Sequence, residues 1–214
     1  ENVPLSALSS FGIGGPADLF FEARTESGLE RAVSLAAREK YPFYVIGAGS
    51  NILFDDEGYR GLIVRNRLEG VTRDEGRLTV LSGTHLSAVL KETLEAGLGG
   101  LEFVAGIPGT VGGAIYGNAG AFGSCLGDFL ETATLLAPGF KQEVVPRDSL
   151  GFGYRDSALK RNGAIALKAV LLLSPADRKA SEARIKDNLE HRRTKHPPWG
   201  TACAGSYFKN SWPP

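Results

Sequence analysis

Methionine is absent from this sequence of 214 residues, and cysteine occurs only twice, at Cys125 and Cys203. Two cysteines this far apart cannot form the framework of a disulfide-stabilised domain. Three histidines without acidic residues clustered around them also argue against a metal site. We therefore predict a metal-free protein of the reducing cytoplasm. The missing methionine at position 1 indicates an N-terminus that is processed or trimmed.

A net charge is absent as well, because 24 Lys and Arg residues balance 24 Asp and Glu residues. No global field therefore recruits nucleic acid or an anionic membrane. The strongest apolar run, residues 164–173, is interrupted by Lys168 and is too short to span a bilayer. The first residues do not have the pattern of a secretory signal. These absences favour a monomeric globular protein that acts on small molecules, with no nucleic-acid or membrane partner.

Hydrophobic patterning predicts three units, at residues 1–67, 68–173 and 174–214. We expect the first two to be small α/β units and the third to be the start of a further α/β domain that this chain does not complete. The predicted strands are Ala17–Ala23, Phe43–Ile46, Leu62–Val64, Leu78–Leu81, Thr132–Leu136 and Ile165–Leu173.

Three helices are predicted from periodicity and from start and stop signals. The first begins at the capping-box pattern Ser27-Gly28-Leu29-Glu30. The second spans Leu86–Leu94 and ends before Gly97. The third spans Asp177–Arg193 and precedes Pro197 and Pro198, which cannot continue a helix.

Glycine is abundant in one stretch of the chain that has no basic residue. Residues 100–120 contain seven glycines and neither lysine nor arginine. Glycine permits backbone conformations with positive φ and a close approach to another group. Such a surface suits a nucleotide whose phosphates are held by backbone N–H groups instead of cationic side chains.

A second glycine-rich stretch, Gly47-Ala48-Gly49-Ser50-Asn51, follows a predicted strand, as a phosphate loop does. It lacks the dinucleotide fingerprint, because Ile52 stands at the third glycine position and little room follows for a crossover helix. Alone it is better explained as a tight turn. Together with residues 100–120 it favours a shared nucleotide site.

Residues 106–114 are only superficially similar to a Walker loop, because Gly112-Gly113-Ala114 stands where Gly-Lys-Ser/Thr is required. Hydrolysis of a nucleoside triphosphate is therefore not expected. Backbone N–H groups of this stretch, with the hydroxyl of Thr110, are expected to hold a pyrophosphate instead. The simpler alternative is an irregular surface loop, which the regularly spaced apolar residues disfavour.

Polar residues near the C-terminal end are further candidates. Tyr154-Arg155-Asp156-Ser157 places an arginine where a carboxylate or phosphate could bind, although in isolation a surface pair of Arg155 and Asp156 is the better explanation. The basic residues of 178–195 suit either a solvated helix face or a diphosphate. Ser206 is either a helix cap or a reactive hydroxyl.

These motifs occur together in the order found in one enzyme family. The chain resembles the UDP-N-acetylenolpyruvoylglucosamine reductase (MurB) family over essentially its whole length, and most closely the shorter, type II form. The resemblance rests on residues 11–18 (FGIGGPAD), 47–51, 106–114, 118–121, 154–157 and 204–210. No single motif is specific, but their joint order is.

The resemblance implies an α+β protein with the FAD-binding fold of the vanillyl-alcohol oxidase (PCMH) type in two α/β subdomains, followed by a partial substrate domain. It also implies an NADPH-dependent UDP-N-acetylmuramate dehydrogenase of peptidoglycan synthesis, in which non-covalent FAD is reduced by NADPH. Hydride then reaches the enolpyruvyl group of UDP-N-acetylglucosamine enolpyruvate. The residues that it places at FAD are Gly47, Ala48, Gly49, Ser50, Asn51, Ile52, Gly106, Ile107, Pro108, Gly109, Thr110, Gly112, Gly113, Ala114, Asn118, Gly120 and Ala121.

By the same resemblance, Arg155 and Ser206 are the catalytic residues. Arg155 would hold the substrate carboxylate and stabilise developing negative charge. Ser206 would donate the proton that completes the reduction. The expected substrate contacts are Tyr154, Arg155, Lys195 and Asn210.

Two features depart from the family pattern. The family has a third catalytic residue, a C-terminal glutamate, and nothing after Asn210 supplies it, so none is assigned. Gly12 stands where the family often has a basic residue. Two alternatives therefore stay open. One is another FAD-dependent oxidase or dehydrogenase of this fold, and the other is a truncated FAD-binding fragment without turnover.

Overall fold

Two β-sheets organise the part of the chain that this computed structural model describes, namely residues 1–198, 200–203, 205 and 208–210. The strands are β1 Val3–Pro4, β2 Pro16–Ala23, β3 Phe43–Ile46, β4 Tyr59–Asn66, β5 Val71–Asp74, β6 Arg77–Leu81, β7 Leu98–Gly99, β8 Gly120–Ala121, β9 Ser124–Cys125, β10 Leu130–Leu136, β11 Gln142–Pro146, β12 Ile165–Leu172 and β13 Ser174–Pro175. The α-helices are α1 Glu26–Arg38, α2 Leu86–Glu95, α3 Val111–Gly117, α4 Leu159–Asn162 and α5 Arg178–Lys195.

The first sheet has the strand order β1-β2-β4-β3. β2 and β3 both run parallel to β4, and only β1 is antiparallel to its neighbour. Residues 47–58 connect the parallel neighbours β3 and β4 without a crossover helix. The connection is a loop that starts at the carboxyl edge of the sheet. This agrees with the sequence analysis, which found too little room after Ile52 for the crossover helix of a classical dinucleotide-binding fold.

The second sheet is antiparallel throughout, in the order β11-β10-β12-β6-β5. One core cluster joins it to the first sheet, because Leu136 and Leu167 pack with Leu29, Val33 and Val64. A larger cluster lies between the second sheet and the segments that contain α2 and α3. Because the two sheets share this apolar core, the structure does not separate the first two predicted units, and the division into three units stays a prediction.

The start of α1 differs from the sequence prediction. Its N-cap is Thr25, whose hydroxyl oxygen accepts a hydrogen bond from the N–H of Gly28 at 3.1 Å. Ser27 therefore lies inside the helix and does not cap it. The prediction chose Ser27 because glutamate follows three residues later, but Thr25 offers the same chemistry with the extended backbone that a cap needs.

The other predicted helices are present, with α5 capped by Asp177 through the N–H of Ala180 at 2.8 Å. The six predicted strands are also present. Sequence patterning missed β5 and β11, which are short and mostly exposed. It also missed α3, because glycine is a poor helix former and two glycines follow Val111 at its start.

Candidate cofactor and active site

The two glycine-rich stretches meet at the carboxyl edge of the first sheet. The loop after β3 contacts the loop before α3, since Ser50 Oγ donates a hydrogen bond to the carbonyl oxygen of Pro108 at 3.0 Å. A side chain at position 47 would collide with the hydroxyl of Thr110, which is buried. Edges of this kind in α/β proteins commonly bind ligands. The two stretches that the sequence analysis predicted to share a nucleotide site are therefore neighbours in the fold.

Backbone N–H groups are available on both sides of this junction. Within the described residues, those of Ala48, Gly49, Ser50 and Asn51 have no protein acceptor. Across the junction the same is true of the N–H groups that follow Pro108, at residues 109 and 110. Successive free N–H groups around a positive-φ residue, here Gly49 at φ 68°, form a concave surface that binds anions.

The first two residues of α3 do not add to the free N–H groups of residues 48–51 and 109–110, because their own N–H groups bond to protein. Val111 N–H donates to the carbonyl of Thr84 at 3.0 Å, and Gly112 N–H donates to that of Ser82 at 2.7 Å. An added Cβ on Gly112 would lie 3.1 Å from Ser82. Gly112 thus allows the chain to pack against the β6–α2 turn, and its predicted contact with a cofactor cannot use its N–H.

This arrangement fits a dinucleotide such as FAD. A diphosphate needs clustered donors, which residues 48–51 and 109–110 provide, and it needs close backbone approach, which glycine permits. The hydroxyl of Thr110 is a further donor beside Gly47, with no hydrogen-bond partner among the described side chains.

Arg155 occupies a strained position in a tight turn. The backbone groups of Gly153 and Asp156 bond to each other at 3.1 and 3.2 Å, which leaves Tyr154 and Arg155 as the two central residues. Arg155 has φ of 55°, a left-handed conformation that costs a non-glycine residue roughly 1–2 kcal/mol. Such strain persists only where the surrounding structure enforces it, and it is concentrated at functional sites.

Four side chains enforce this turn. Asn118 Nδ2 donates to the carbonyl of Gly153 at 3.0 Å, and Lys160 Nζ donates to that of Arg155 at 2.6 Å. Arg161 pairs with Asp156 at 2.6 Å, and Ser157 Oγ bonds to the carbonyl of Tyr116 at 2.8 Å. Because Asp156 pairs with Arg161, the alternative of a surface ion pair between Arg155 and Asp156 is wrong for the described residues.

Arg155 itself is exposed and has no ion-pair partner among the described residues. Its guanidinium lies 5.5 Å from the ring centre of Tyr154. Close by is Arg192, whose Nε donates to the carbonyl of Ala105 at 2.8 Å and whose guanidinium lies 5.4 Å from the ring of Phe122. Burial, and then the charge of Arg155, lower the pKa of Arg192.

Two arginines that no carboxylate faces in the described part of the chain create a positive potential that attracts an anion. Phe122, which contacts Arg192, lies in the β8–β9 hairpin, where it is half-exposed and has φ of 54°. Its ring also makes an edge contact with His191, with ring centres 5.4 Å apart. The sequence analysis placed Arg192 only in a general basic patch and counted Phe122 among the apolar residues that anchor the glycine-rich segment to the core. Phe122 is instead half-exposed, because it lies with Gly123 in the two-residue turn between β8 and β9.

The side chain of Asn118, a predicted cofactor contact, hydrogen-bonds to two other segments of the protein. Its Oδ1 accepts from Gly127 N–H at 3.0 Å while its Nδ2 binds Gly153, so both ends of its buried amide already bond to protein. The neighbouring Gly120 and Ala121 form β8, which pairs with β9. Asn118 therefore connects this hairpin region to the Arg155 turn.

The remaining predicted residues lie at the end of the chain. Lys195 is exposed in the last turn of α5, and Asn210 is exposed as well. Ser206 lies outside the described residues. Cys203, three residues before it, bonds to Ser10, with Cys203 N–H to the Ser10 carbonyl at 3.0 Å and Ser10 Oγ to the Cys203 carbonyl at 2.9 Å. Ser10 N–H donates in turn to Gly49, which ties this end of the chain to the loop after β3.

Among the described residues, no group of three or more His, Cys, Asp and Glu side chains could hold a metal ion. None of the helices found there has the length and apolar character needed to cross a membrane.

Comparison with known proteins agrees with this geometry. A sequence profile described as an FAD binding domain matches residues 17–139, more than half of the chain. A solvent-stable cholesterol oxidase has a similar fold, with a TM-score of 0.62 at 15% identity over 78% of this chain and 36% of that one. The protein is therefore a flavoprotein with the FAD-binding fold predicted from the sequence, and FAD is its cofactor.

Closer relatives are more specific. The UDP-N-acetylenolpyruvoylglucosamine reductase of Moorella thermoacetica is 40% identical over 98% of this chain and 69% of its own length. The crystal structure of UDP-N-acetylenolpyruvylglucosamine reductase (MurB) from Thermus caldophilus superimposes with a TM-score of 0.83 at 35% identity, over 98% of this chain and 74% of that one. The chain belongs to the UDP-N-acetylenolpyruvoylglucosamine reductase family. The alternative of another flavin oxidase is not favoured, because the oxidase resembles this chain only in fold.

Proposed function

We propose that this protein reduces the enolpyruvyl group of UDP-N-acetylglucosamine enolpyruvate with NADPH and forms UDP-N-acetylmuramate for peptidoglycan synthesis. The observation that supports this most directly is the strained Arg155, which has no ion-pair partner within the described residues and is held beside a surface that suits FAD. An arginine without a protein carboxylate is suited to bind the carboxylate of a substrate.

Bound FAD supplies a ring that accepts hydride from NADPH and passes it to the substrate. The residues proposed to hold FAD are those of the loop after β3, Gly47 to Ile52, and those of the loop before α3, Gly106 to Thr110. Free N–H groups at residues 48–51 and 109–110 support a contact with the pyrophosphate. Gly113, Ala114, Gly120 and Ala121 border the same region and complete the proposed set.

Arg155 is proposed to bind the substrate carboxylate. Hydride addition to the methylene carbon leaves negative charge on the adjacent carbon, next to that carboxylate. A guanidinium fixed by a clamped turn stabilises this charge without having to reorganise during the reaction. Arg192 adds to the positive potential, because an arginine side chain keeps its proton in proteins.

Ser206 is proposed to donate a proton to the carbon that carries this charge. A serine hydroxyl is a weak acid, but an enolate-like carbanion is a strong enough base to take its proton. A positioned proton donor contributes a factor of about 10² to 10⁴ in rate. The bonds from Cys203 to Ser10, and from Ser10 to Gly49, support a location of this segment close to the proposed FAD surface.

Tyr154, Lys195 and Asn210 are proposed substrate contacts, with Lys195 directed at the diphosphate. We also propose a cytoplasmic location, which the free thiols of Cys125 and Cys203 support, and a monomer without nucleic-acid or membrane partners.

The test follows NADPH oxidation by the purified yellow protein with and without UDP-N-acetylglucosamine enolpyruvate. We expect oxidation to require the sugar and UDP-N-acetylmuramate to accumulate in equal amount. NADPH consumption at the same rate in the absence of the sugar would overturn the proposed substrate. As a control, Lys179→Ala, which changes an exposed residue at the far end of α5, should leave the rate unchanged.

A further inference from the structure

One side of α5 bonds repeatedly to the glycine-rich segment. Ser181 Oγ donates to Glu102 Oε1 at 2.6 Å, and Asn188 Nδ2 donates to the backbone carbonyl of Glu102 at 2.9 Å. Arg192 continues the row through its 2.8 Å bond to the carbonyl of Ala105. These three residues are seven and four positions apart, a spacing that places them on one face of a helix. They are called the α5 stripe below.

Glu102 is the buried acid at the centre of these contacts. It is 6% exposed, and its second carboxylate oxygen accepts the N–H of Gly100 at 2.9 Å. Burial alone would raise the pKa of Glu102, but hydrogen bonds from Ser181 and from the backbone N–H groups of Glu102 and Gly100, with the charge of Arg184, leave it below its ordinary value. An ionised carboxylate with this many donors is a fixed anchor for residues 100–105.

The packing between α5 and the segment leaves little freedom. A side chain at position 106 would lie 2.7 Å from Cδ of Arg192, so the helix rests directly against the backbone there. Lys195 lies three residues after Arg192, and therefore on the same face of the helix as the α5 stripe. One rigid helix therefore spans from the anchor at Glu102 to the proposed diphosphate contact.

We propose that Glu102, Ser181 and Asn188 are positioning residues. They fix residues 100–105, and with them the proposed FAD loop at 106–110, relative to Lys195, so that binding of the nucleotide sugar at the end of α5 alters the surroundings of the flavin. The proposal rests on the proposed function for the identity of the ligand at Lys195. None of the three residues touches substrate or cofactor. They act through the backbone of residues 100–105.

The experiment compares Asn188→Ala with Asp187→Ala, which removes an adjacent, exposed polar side chain without a bond in the described part of the chain. FAD affinity is measured by titrating the apoprotein, and the visible difference spectrum of the holoprotein is recorded with saturating UDP-N-acetylglucosamine. We expect Asn188→Ala to weaken FAD binding by about 5- to 10-fold and to lose most of the spectral change. Asp187→Ala should match the unaltered protein in both measurements.

A lower melting temperature for Asn188→Ala with unchanged FAD affinity and an unchanged difference spectrum would overturn the proposal, because the contact would then only stabilise the fold. The absence of any spectral change in the unaltered protein would overturn the link to Lys195. If Asn188→Ala does not fold, Glu102→Gln carries the same test, since it keeps the shape of the side chain and an acceptor for Gly100. Sugar-dependent NADPH oxidation is assayed separately, so failure of the proposed function is distinguished from failure of this inference.

Discussion

At the scale of single residues, conformation identifies the site more clearly than charge does. Arg155 is one of 24 Lys and Arg residues, and nothing in its local sequence distinguishes it from a surface ion pair. Its left-handed backbone and the side chains that clamp its turn do distinguish it. Strain of this kind depends on contacts with residues 118 and 160, which sequence neighbours alone do not predict.

Arg155→Gly should be more stable than Arg155→Ala, although both lose the guanidinium. Glycine relieves a left-handed strain of roughly 1–2 kcal/mol, while its greater freedom in the unfolded chain costs about 0.4–1 kcal/mol. The expected difference is therefore about 1 kcal/mol, or about 2–4 °C in melting temperature for a chain of this size. Thermal unfolding of the two variants measures it. Equal stabilities would mean that the strain is no larger than the entropic cost of glycine, which would contradict the strain expected here.

Gly47→Ala should abolish retention of FAD. Its added Cβ collides with the buried Thr110 hydroxyl, so the two loops must separate and their N–H groups no longer converge. Gly70→Ala is the matched control, because its Cβ meets only the end of the Leu81 side chain, at 3.3 Å. The flavin-to-protein ratio after purification gives the result. A yellow Gly47→Ala protein would refute the joint role of the two loops.

At the scale of secondary-structure elements, the sequence predicts what is strongly periodic or buried. β3 and most of α2 have the predicted bounds because apolar residues and glycine mark their limits. α3 could not be predicted, since tertiary bonds to Ser82 and Thr84 hold its glycine-rich first turn. The cap of α1 was assigned wrongly to Ser27, because two residues with similar side chains compete there.

Thr25→Ala is expected to destabilise the protein by about 1 kcal/mol, the usual effect of losing an N-cap hydroxyl. Ser27→Ala should have little effect, because Ser27 lies within α1 and alanine is the better helix former. Urea unfolding of both variants distinguishes the two assignments. A larger loss for Ser27→Ala would restore the capping box predicted from the sequence.

The contact between α5 and Glu102 should weaken in acid. Because the pKa of Glu102 is lower in the folded protein than its ordinary value, its stabilising effect is fully present above that ordinary value. The effect is lost as pH falls through the lower, folded value. The urea midpoint of the unaltered protein should therefore approach that of Glu102→Gln as pH falls. A difference between the two that stays constant with pH would contradict this reasoning.

At the scale of the whole molecule, a joint order of weak motifs predicts more than any motif alone. The FAD-binding fold and the family follow from six short stretches spread along the chain. What the sequence could not give is their spatial relation. Ser10, Glu102 and Arg192 come from separate regions, and only the packing of the two sheets and α5 places them around one site.

The role of Arg155 in binding a substrate carboxylate beside FAD is tested by the reoxidation of reduced flavin. The flavin is reduced anaerobically with NADPH, and UDP-N-acetylglucosamine enolpyruvate is then added while the visible absorbance of oxidised flavin is followed. We expect rapid reoxidation in the unaltered protein. In Arg155→Ala we expect FAD to be kept and reoxidation to slow by about 10² to 10³. Reoxidation at the same rate in Arg155→Ala, or none in the unaltered protein, would refute this role.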